Sequence, residues 1–282
     1  MSPVGRALWF IESHLGGELS LAEVAAFSHV SRFHLSRAFA AATGRSVMHY
    51  VRARRLSEAA RQLAAGAGDI LGVALEAGYQ SHEAFTRAFR EQFGLTPEAV
   101  RARGDTRNMN LLEAMGMSEN FVALEEPRFE DGRMLLVAGL GERYTFETNQ
   151  GIPFLWQRFV PYIGHIPGQA GNATYGVCCN MDGNGSFDYI AGVEVQSFAD
   201  LPLELRRIRI PKQRYAVFSH RDHVSALRLT VYTIWNQWLP ASRYELADSP
   251  DFEFYGDKFN GAAGTGTVEI WLPIKIAHAP SP

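Results

Sequence analysis

The chain has 282 residues, enough for two domains, and 46% of them are hydrophobic, so a sizeable core can be buried. No run approaches the roughly 20 apolar residues that span a bilayer, and Met1–Leu15, which carries Glu12 and His14, has no secretory pattern, so the chain reads as cytoplasmic. Net charge is −3 but unevenly held: residues 1–104 have twelve Arg, no Lys and nine acids, and residues 105–282 have fifteen basic and twenty-one acidic residues. A mildly basic first third ahead of an acidic remainder suggests a phosphate-facing module followed by one with a different partner.

The first third is rich in Ala, Leu, Arg and Glu, with no proline between Pro3 and Pro97, and reads as helix almost throughout. It contains a repeat. Moving residues 19–44 forward by fifty positions matches Leu21 with Leu71, Ser31 with Ser81, Arg37 with Arg87, Ala38 with Ala88, Phe39 with Phe89 and Gly44 with Gly94. Each copy predicts a short amphipathic helix, a turn, and a second helix capped by Ser31 or Ser81, with Gly44 or Gly94 at its left-handed end. A longer helix, Val51–Ala65, joins the copies and carries Arg52, Arg54, Arg55 and Arg61.

Two helices joined by a turn, with the second exposed, form a helix-turn-helix, whose second helix enters the major groove of double-stranded DNA. In the first copy, Leu35, Ala38 and Phe39 fall on the inward side, which leaves Arg32, Phe33, Ser36 and Arg37 for the groove. In the second copy, Phe85, Ala88 and Phe89 face inward, and His82, Glu83, Ala84 and Arg87 face out. Arg pairs with guanine O6 and N7, Glu accepts from cytosine N4, and Phe33 and Ala84 suit thymine methyl groups.

After about Gly104 the texture changes. A polar stretch leads through a linker (105–119) to β-type runs at Arg133–Leu140, Tyr175–Cys179, Tyr189–Val195, Arg206–Ile210, Tyr215–His220 and Val268–Ile276, with helical segments at Ile152–Tyr162 and Val224–Leu239. This part repeats as well. Trp156 to Pro161 matches Trp235 to Pro240 at an offset of 79, and the same offset brings Val137 onto Ala216 and Tyr175 onto Phe254. Each half therefore reads strand, helix, strand, strand, and such a duplicated unit tends to form a cleft on its pseudo-two-fold axis.

The expected fold is multidomain: an all-α tandem helix-turn-helix domain (1–104), then an α+β domain (120–277) with a duplicated β-α-β-β unit, an antiparallel sheet and two helices. Glu269 lies between Val268 and Ile270, so if those two face the packed side, alternation sends Glu269 to the other, together with Trp271. Trp156, Tyr175, Tyr189, Trp235 and Trp271 are candidate aromatic walls for an effector, with Glu269 as the carboxylate.

Other constellations are weaker. His220-Arg-Asp222-His223 lacks a further metal ligand and reads as a turn, and Asp182-Gly-Asn-Gly-Ser186 lacks the closing Glu of a calcium loop and reads as a hairpin turn. Cys178 and Cys179 are adjacent, so in a strand they point to opposite faces, which argues against a disulfide between them. No phosphate-binding glycine loop and no nucleophile elbow is present in the sequence. No cofactor, metal or catalytic residue is expected.

Residues 5–104 resemble the DNA-binding region of the AraC/XylS regulators, on Ser20-Leu-Ala-Glu-Val-Ala-Ala, Ser31 to Phe39, Gly44, Tyr50-Val-Arg-Ala-Arg-Arg-Leu, Ala77-Gly-Tyr, Ser81 to Phe89 and Gly94-Leu-Thr-Pro97. Two departures stand out: Ser28 where the first turn ordinarily has Gly, and Val47 in place of a Pro that survives as Pro97. The resemblance implies two recognition helices on a rigid linker helix, reading two successive major grooves, with base and backbone contacts at Phe33, Ser36, Arg37, His82, Glu83, Ala84 and Arg87.

Residues 120–277 resemble the GyrI-like effector-binding domain of Rob-like regulators. The carrying residues are Gly139-Leu, Trp156 to Pro161, Tyr175-Gly-Val, Phe187 to Glu194, Ile210-Pro, Tyr215-Ala-Val-Phe, Trp235 to Pro240, Phe252-Glu-Phe-Tyr and Glu269 to Lys275. The resemblance implies a cleft on the pseudo-axis with Glu269 at its centre and a small aromatic effector, cationic or neutral. It also implies RNA polymerase as a partner, no membrane, and a monomer or weak dimer, since the chain lacks the N-terminal dimerisation domain of many AraC relatives. Two alternatives stand beside this non-enzymatic regulator: a GyrI-like hydrolase of strained electrophiles using Glu269 as base, and a module that sequesters a protein.

Overall fold

The computed structural model describes residues 1–115, 120–145, 148–182 and 186–276. They divide into two compact units: a helical one with Pro3–Leu35 and the chain from Arg45 onward, and one in which Ser36–Gly44 joins the β-rich remainder.

Seven helices supply the helical region: α1 (Pro3–Ser13), α2 (Leu21–Phe27), α3 (Arg32–Thr43), α4 (Val47–Ala64), α5 (Ile70–Glu76), α6 (His82–Phe93) and α7 (Pro97–Arg103). Their starts are written locally. Ser20 and Glu23 form a reciprocal capping box on α2, and Asp69 caps α5. The Ser31 and Ser81 hydroxyls accept from His34 N and Ala84 N, as the duplicated serines predict. Gly44 and Gly94 both take left-handed φ, at 71° and 70°.

The repeat is less uniform than a single offset of fifty. Helix α2 begins at Leu21 and α5 at Ile70, a shift of forty-nine, and the turn before α6 has five residues where the turn before α3 has four. The matching backbone bonds are Val30 N to Ala25 O and Tyr79 N to Ala74 O. The counterpart of Gly78 (φ 83°) is therefore His29 (φ 56°), and Ser28 stays right-handed at φ −78°. The left-handed strain of the first turn falls on His29, and Ser28 escapes it.

Residues 105–115 do not hang free as a linker. Met109 and Leu111 pack against the core of α4–α7, formed around Leu56, Leu63, Phe85 and Phe89. Leu112 N donates to Ser57 Oγ at 2.9 Å, and Met115 N donates to the Tyr50 hydroxyl at 3.1 Å. Beneath them Arg54 donates through Nε and Nη2 to both carboxylate oxygens of Glu12, at 2.9 and 2.8 Å, and through Nη1 to Leu112 O.

The second unit is built on β1 (Arg128–Gly132), β2 (Leu135–Thr145), β3 (Gln169–Cys179), β4 (Ser186–Val195), β5 (Arg206–Ile210), β6 (Gln213–His220), β7 (Tyr244–Leu246), β8 (Asp251–Asn260) and β9 (Thr265–Ile276), with α8 (Ile152–Phe159) and α9 (Leu227–Thr233). The latter continues into a π-helical turn at Ile234–Trp238. All pairings are antiparallel, in the order β1-β6-β9-β8-β3-β4-β2-β5, with β7 against β9. The duplication is plain in this order: β2-α8-β3-β4 answers β6-α9-β8-β9, and the two copies meet at β3 and β8, where Tyr175 lies opposite Phe254. The strands expected from sequence did not include β1, β7 or β8. The hairpin residues 183–185 lie outside the described residues.

Alternation gives the sheet two different faces. One packs under the helices, with Tyr189, Ala191, Val193 and Val195 against Leu155 and Phe159. The other gathers Val137, Tyr175, Val177, Tyr215, Val217 and Phe252 into a separate cluster.

Candidate functional site

Two places bring chemistry-bearing side chains together. The first is the outer side of α6. Phe85 and Phe89 are fully buried, and they turn Glu83 and Arg87 outward, with His82 and Ala84 half-buried beside them. His82 Nε2 lies 3.1 Å from Glu98 Oε1, and an open hollow runs along His82, Glu83, Thr86, Arg87, Arg90 and Glu91. Its own backbone N–H, with the Ser81 hydroxyl, holds the Glu83 carboxyl below its usual range, so it is an ionised acceptor. Such a ridge of donors and carboxylate acceptors on an exposed helix suits base edges and phosphates.

The matching helix α3 is different. Arg32 and Phe33 are exposed as expected, but Ser36 and Arg37 are only 5% and 9% accessible. From Ser36 onward α3 belongs to the β-rich unit, and its residues pack there, so in this arrangement Ser36 and Arg37 are covered. Asn236 Nδ2 donates to Ala38 O at 3.2 Å, and Ala40 joins the core under the helices.

The second place is the helix-bearing face of the sheet where β3 meets β8. Gly176 pairs with Glu253, Cys178 with Asp251 and with Tyr189, so these side chains share one face. Glu253 Oε2 accepts from the Tyr189 hydroxyl at 2.7 Å and from the Tyr255 hydroxyl at 2.8 Å. Trp156 Nε1 donates to the Tyr189 oxygen at 3.0 Å, and its ring meets Tyr255 edge-on at 5.1 Å. Asp251 is ion-paired with Arg37, whose guanidinium lies 5.3 Å from the centre of the Trp235 ring.

Removal from water pushes both carboxyls above their usual range. The two tyrosine hydroxyls relieve this in part for Glu253, and Arg37 does so for Asp251. Burial also raises the Tyr189 and Tyr255 hydroxyls, which keeps them protonated as donors.

Among the predicted effector residues, Trp156, Tyr189 and Trp235 lie on this face. Tyr175, Glu269 and Trp271 do not. Val268 and Ile270 do face the helices, so Glu269 projects from the opposite face. There it accepts from Arg128 Nη2 at 2.7 Å and from Trp271 Nε1 at 3.1 Å. Trp271 stacks on Phe252 at 5.2 Å, and Tyr175 meets Phe254 and Phe252 in the same cluster. The carboxylates on the helix-bearing face where β3 meets β8 are Glu253 and Asp251, which the sequence had not singled out. The signal available was alternation along β8: Phe252, Phe254 and Tyr215 are one aromatic set, which leaves Asp251, Glu253 and Tyr255 for the other face.

The remaining motifs resolve simply. His220 sits 2.8 Å from Thr230 Oγ1 and 3.2 Å from the His223 carbonyl, and His223 caps the next turn. Among the described residues no group of three or more His, Cys, Asp or Glu could hold a metal ion. Cys178 and Cys179 are free and on opposite faces, and burial pushes the Cys179 thiol up to about 11. Among the described residues no helix is long and apolar enough to cross a membrane.

Comparison with known proteins finds two matching families. Residues 24–103 match the helix-turn-helix domain family, and residues 125–275 match the GyrI-like small molecule binding domain. The chain is 38% identical to the right origin-binding protein of Escherichia coli, over 95% of this chain and 96% of that one. It is 33% identical to the transcriptional regulator Rob of Salmonella typhimurium, over 57% of this chain and 56% of that protein. It is also 33% identical to the transcriptional regulator BrlR of Pseudomonas aeruginosa, over 43% of this chain and 45% of that protein. The last two matches thus span about half of each relative's length.

Proposed function

The chain belongs to the Rob-like AraC regulators, which join a helix-turn-helix domain to a GyrI-like small-molecule-binding domain, and on that premise we propose that it is a transcription regulator switched by an aromatic cation held at Glu253. The observation that carries the effector class is the double hydrogen bond from Tyr189 and Tyr255 to Glu253 at the meeting of the two repeats. A carboxylate kept from water and walled by Trp156, Tyr189 and Tyr255 gains most from an organic cation, which supplies charge to the carboxylate and apolar surface to the rings. Trp235 and Asp251 extend the same face.

Reading of DNA rests on α3 and α6, with Arg32, Phe33, Ser36 and Arg37 on the first helix and His82, Glu83, Ala84 and Arg87 on the second, over two successive major grooves. RNA polymerase is the partner that receives the output, the site of action is the cytoplasm, and the protein works as a monomer or weak dimer. The domains run 1–104 and 120–277, with residues 105–115 fastened to the helical part. The names of the relatives favour regulation over catalysis, and a hydrolase built on Glu269 has its carboxylate engaged by Arg128 and Trp271.

The test is a thermal-shift titration of the full chain with paired ligands, aryl cations and their neutral isosteres. Cations alone should stabilise the protein, and Glu253→Gln should abolish that while Glu269→Gln leaves it unchanged. Equal stabilisation by the neutral isosteres would remove the cation from the proposal.

A further inference from the structure

Arg37 and Arg87 occupy the same place in the two copies of the helical repeat, yet Arg87 is exposed and Arg37 is 9% accessible. Periodicity does not require this difference, because Leu35, Ala38 and Phe39 already supply the inward side of α3. What surrounds Arg37 is the environment just proposed for an effector. Its guanidinium is ion-paired with Asp251, whose side chain is 13% accessible, and it stands 5.3 Å from the Trp235 ring centre and 6.0 Å from that of Phe187. Glu253 adds a weaker favourable charge interaction. Two helix-side contacts brace the position: Asn236 Nδ2 to Ala38 O at 3.2 Å, and Arg228 Nε to Ala41 O at 3.3 Å.

We propose that Arg37 is the resident cation of the acidic aromatic site, so that an effector cation and Arg37 compete for it and effector binding releases α3 to read DNA. This rests on the reading of that face as the effector site. A guanidinium seated on Asp251 and Trp235 cannot reach a base edge, so the seated state is unable to use α3 on DNA. A ligand that binds only the vacated site draws the population toward the released state, and the same release raises DNA affinity. Effector and DNA are then positively coupled without any contact between them. A buried ion pair is weak evidence for stability, and its best-attested use is to fix one of two arrangements.

The experiment uses the full chain, N,N′-diphenylguanidinium as cation, N,N′-diphenylurea as neutral control, and a fluorescent duplex selected by the wild-type protein from a random pool. Three measurements separate the possibilities. Calorimetry should find the cation bound at least tenfold tighter by Arg37→Ala than by wild type, because the competitor is gone. Anisotropy should find DNA bound several-fold tighter by wild type when the cation, but not the urea, is present. Asp251→Asn should bind DNA several-fold tighter than wild type with no ligand, and should lose most of the response to the cation.

Equal cation affinity in wild type and Arg37→Ala, with unchanged DNA affinity in Asp251→Asn, overturns the competition while leaving the effector site standing if both proteins bind the cation. Absence of cation binding in every form, with DNA affinity still raised in Asp251→Asn, overturns the effector reading and keeps the Arg37 latch. Should Asp251→Asn fail to fold, the Arg37→Ala calorimetry decides alone.

Discussion

The hydroxyl of Tyr189 stands where a side chain at Gly176 would begin: a Cβ built on Gly176 meets it at 2.1 Å and meets Glu253 Oε2 at 2.5 Å. The residue is glycine because the Tyr189–Glu253 hydrogen bond passes over its backbone. Gly176→Ala should therefore part these two groups and destabilise the protein by about 1–3 kcal/mol, the usual cost of overpacking a filled interior. Cation binding should fall with it. Denaturant unfolding and calorimetry on the same samples check both effects, and unchanged cation affinity in a folded Gly176→Ala protein would contradict the geometry.

Glu253 carries a pH signature. Its folded pKa is raised by burial, so its contribution to stability is fully present below the unfolded value near 4.5 and is lost as pH rises through the folded value. Cation binding runs the other way, because the ligand needs the carboxylate: affinity should rise with pH through that same raised value, and binding should release a proton. Asp251, Arg37, Cys178, Tyr189 and Tyr255 face this carboxyl, so the transition belongs to the group, with Asp251 the other titrating acid. Calorimetry between pH 4 and 8 in buffers of different ionisation enthalpy measures the proton count. Glu253→Gln should flatten the profile.

Much of this was legible beforehand, and the misses share a cause. The helical duplication is visible in sequence because Ser, Arg, Phe and Gly recur at cap, surface, core and turn positions that local physics constrains, and the second because Trp and Pro recur along its two helices. Glu269 rather than Glu253 was singled out because alternation divides a strand between two faces without saying which face carries the function. Both faces of this sheet bear aromatic clusters, and only strand order, with β3 beside β8, puts Glu253 at the meeting of the repeats. The burial of Arg37 was not legible for a related reason. A helical wheel separates inward from outward positions around one core, and α3 has a second set of neighbours from a distant part of the chain.

His29 holds a left-handed conformation at φ 56° in the place where the second copy uses Gly78. A side chain there costs roughly 1–2 kcal/mol, partly offset by the greater freedom glycine has when unfolded. His29→Gly should thus stabilise the helical unit by about 0.5–1 kcal/mol, read as a higher urea midpoint in far-ultraviolet circular dichroism. A lower midpoint would mean that the His29 ring makes a contact worth more than the strain.

Glu12 and Arg54 form a well-enclosed ion pair in the helical unit, with side chains 24% and 7% accessible. Burial would raise the Glu12 carboxyl, but the hydrogen bonds from Arg54 and Tyr50 and the Arg54 charge outweigh that and hold it below its ordinary value. Its stabilisation is therefore present above the unfolded value near 4.5 and lost as pH falls through the lowered one. Glu12→Ala leaves Arg54 with Glu58 and the Leu112 carbonyl only. The expected loss is about 3 kcal/mol at neutral pH, at the lower end for a buried pair with one partner removed. The mutant penalty should shrink on acidification to pH 3, which denaturant unfolding at the two pH values measures.

Arg87 is exposed on α6 beside Glu83, so its contribution to DNA binding needs no rearrangement, unlike that of Arg37. Arg87→Ala should cost about 1–3 kcal/mol at a selected site if the guanidinium forks onto a guanine, and that cost should vanish on unrelated duplex. If Arg87 contacts phosphate instead, the loss should be uniform across sequences, and the slope of log affinity against log salt should fall by about one. Arg37→Ala should behave differently, because the same substitution removes a contact and unlatches α3. Without effector the two effects oppose each other, so its net cost should be smaller than that of Arg87→Ala. With saturating cation the wild type is already released, and the cost of Arg37→Ala should grow toward that of Arg87→Ala. Electrophoretic shifts of both mutants, with and without the cation, give the four numbers needed. An Arg37→Ala penalty that is the same in both conditions would detach α3 from the effector site.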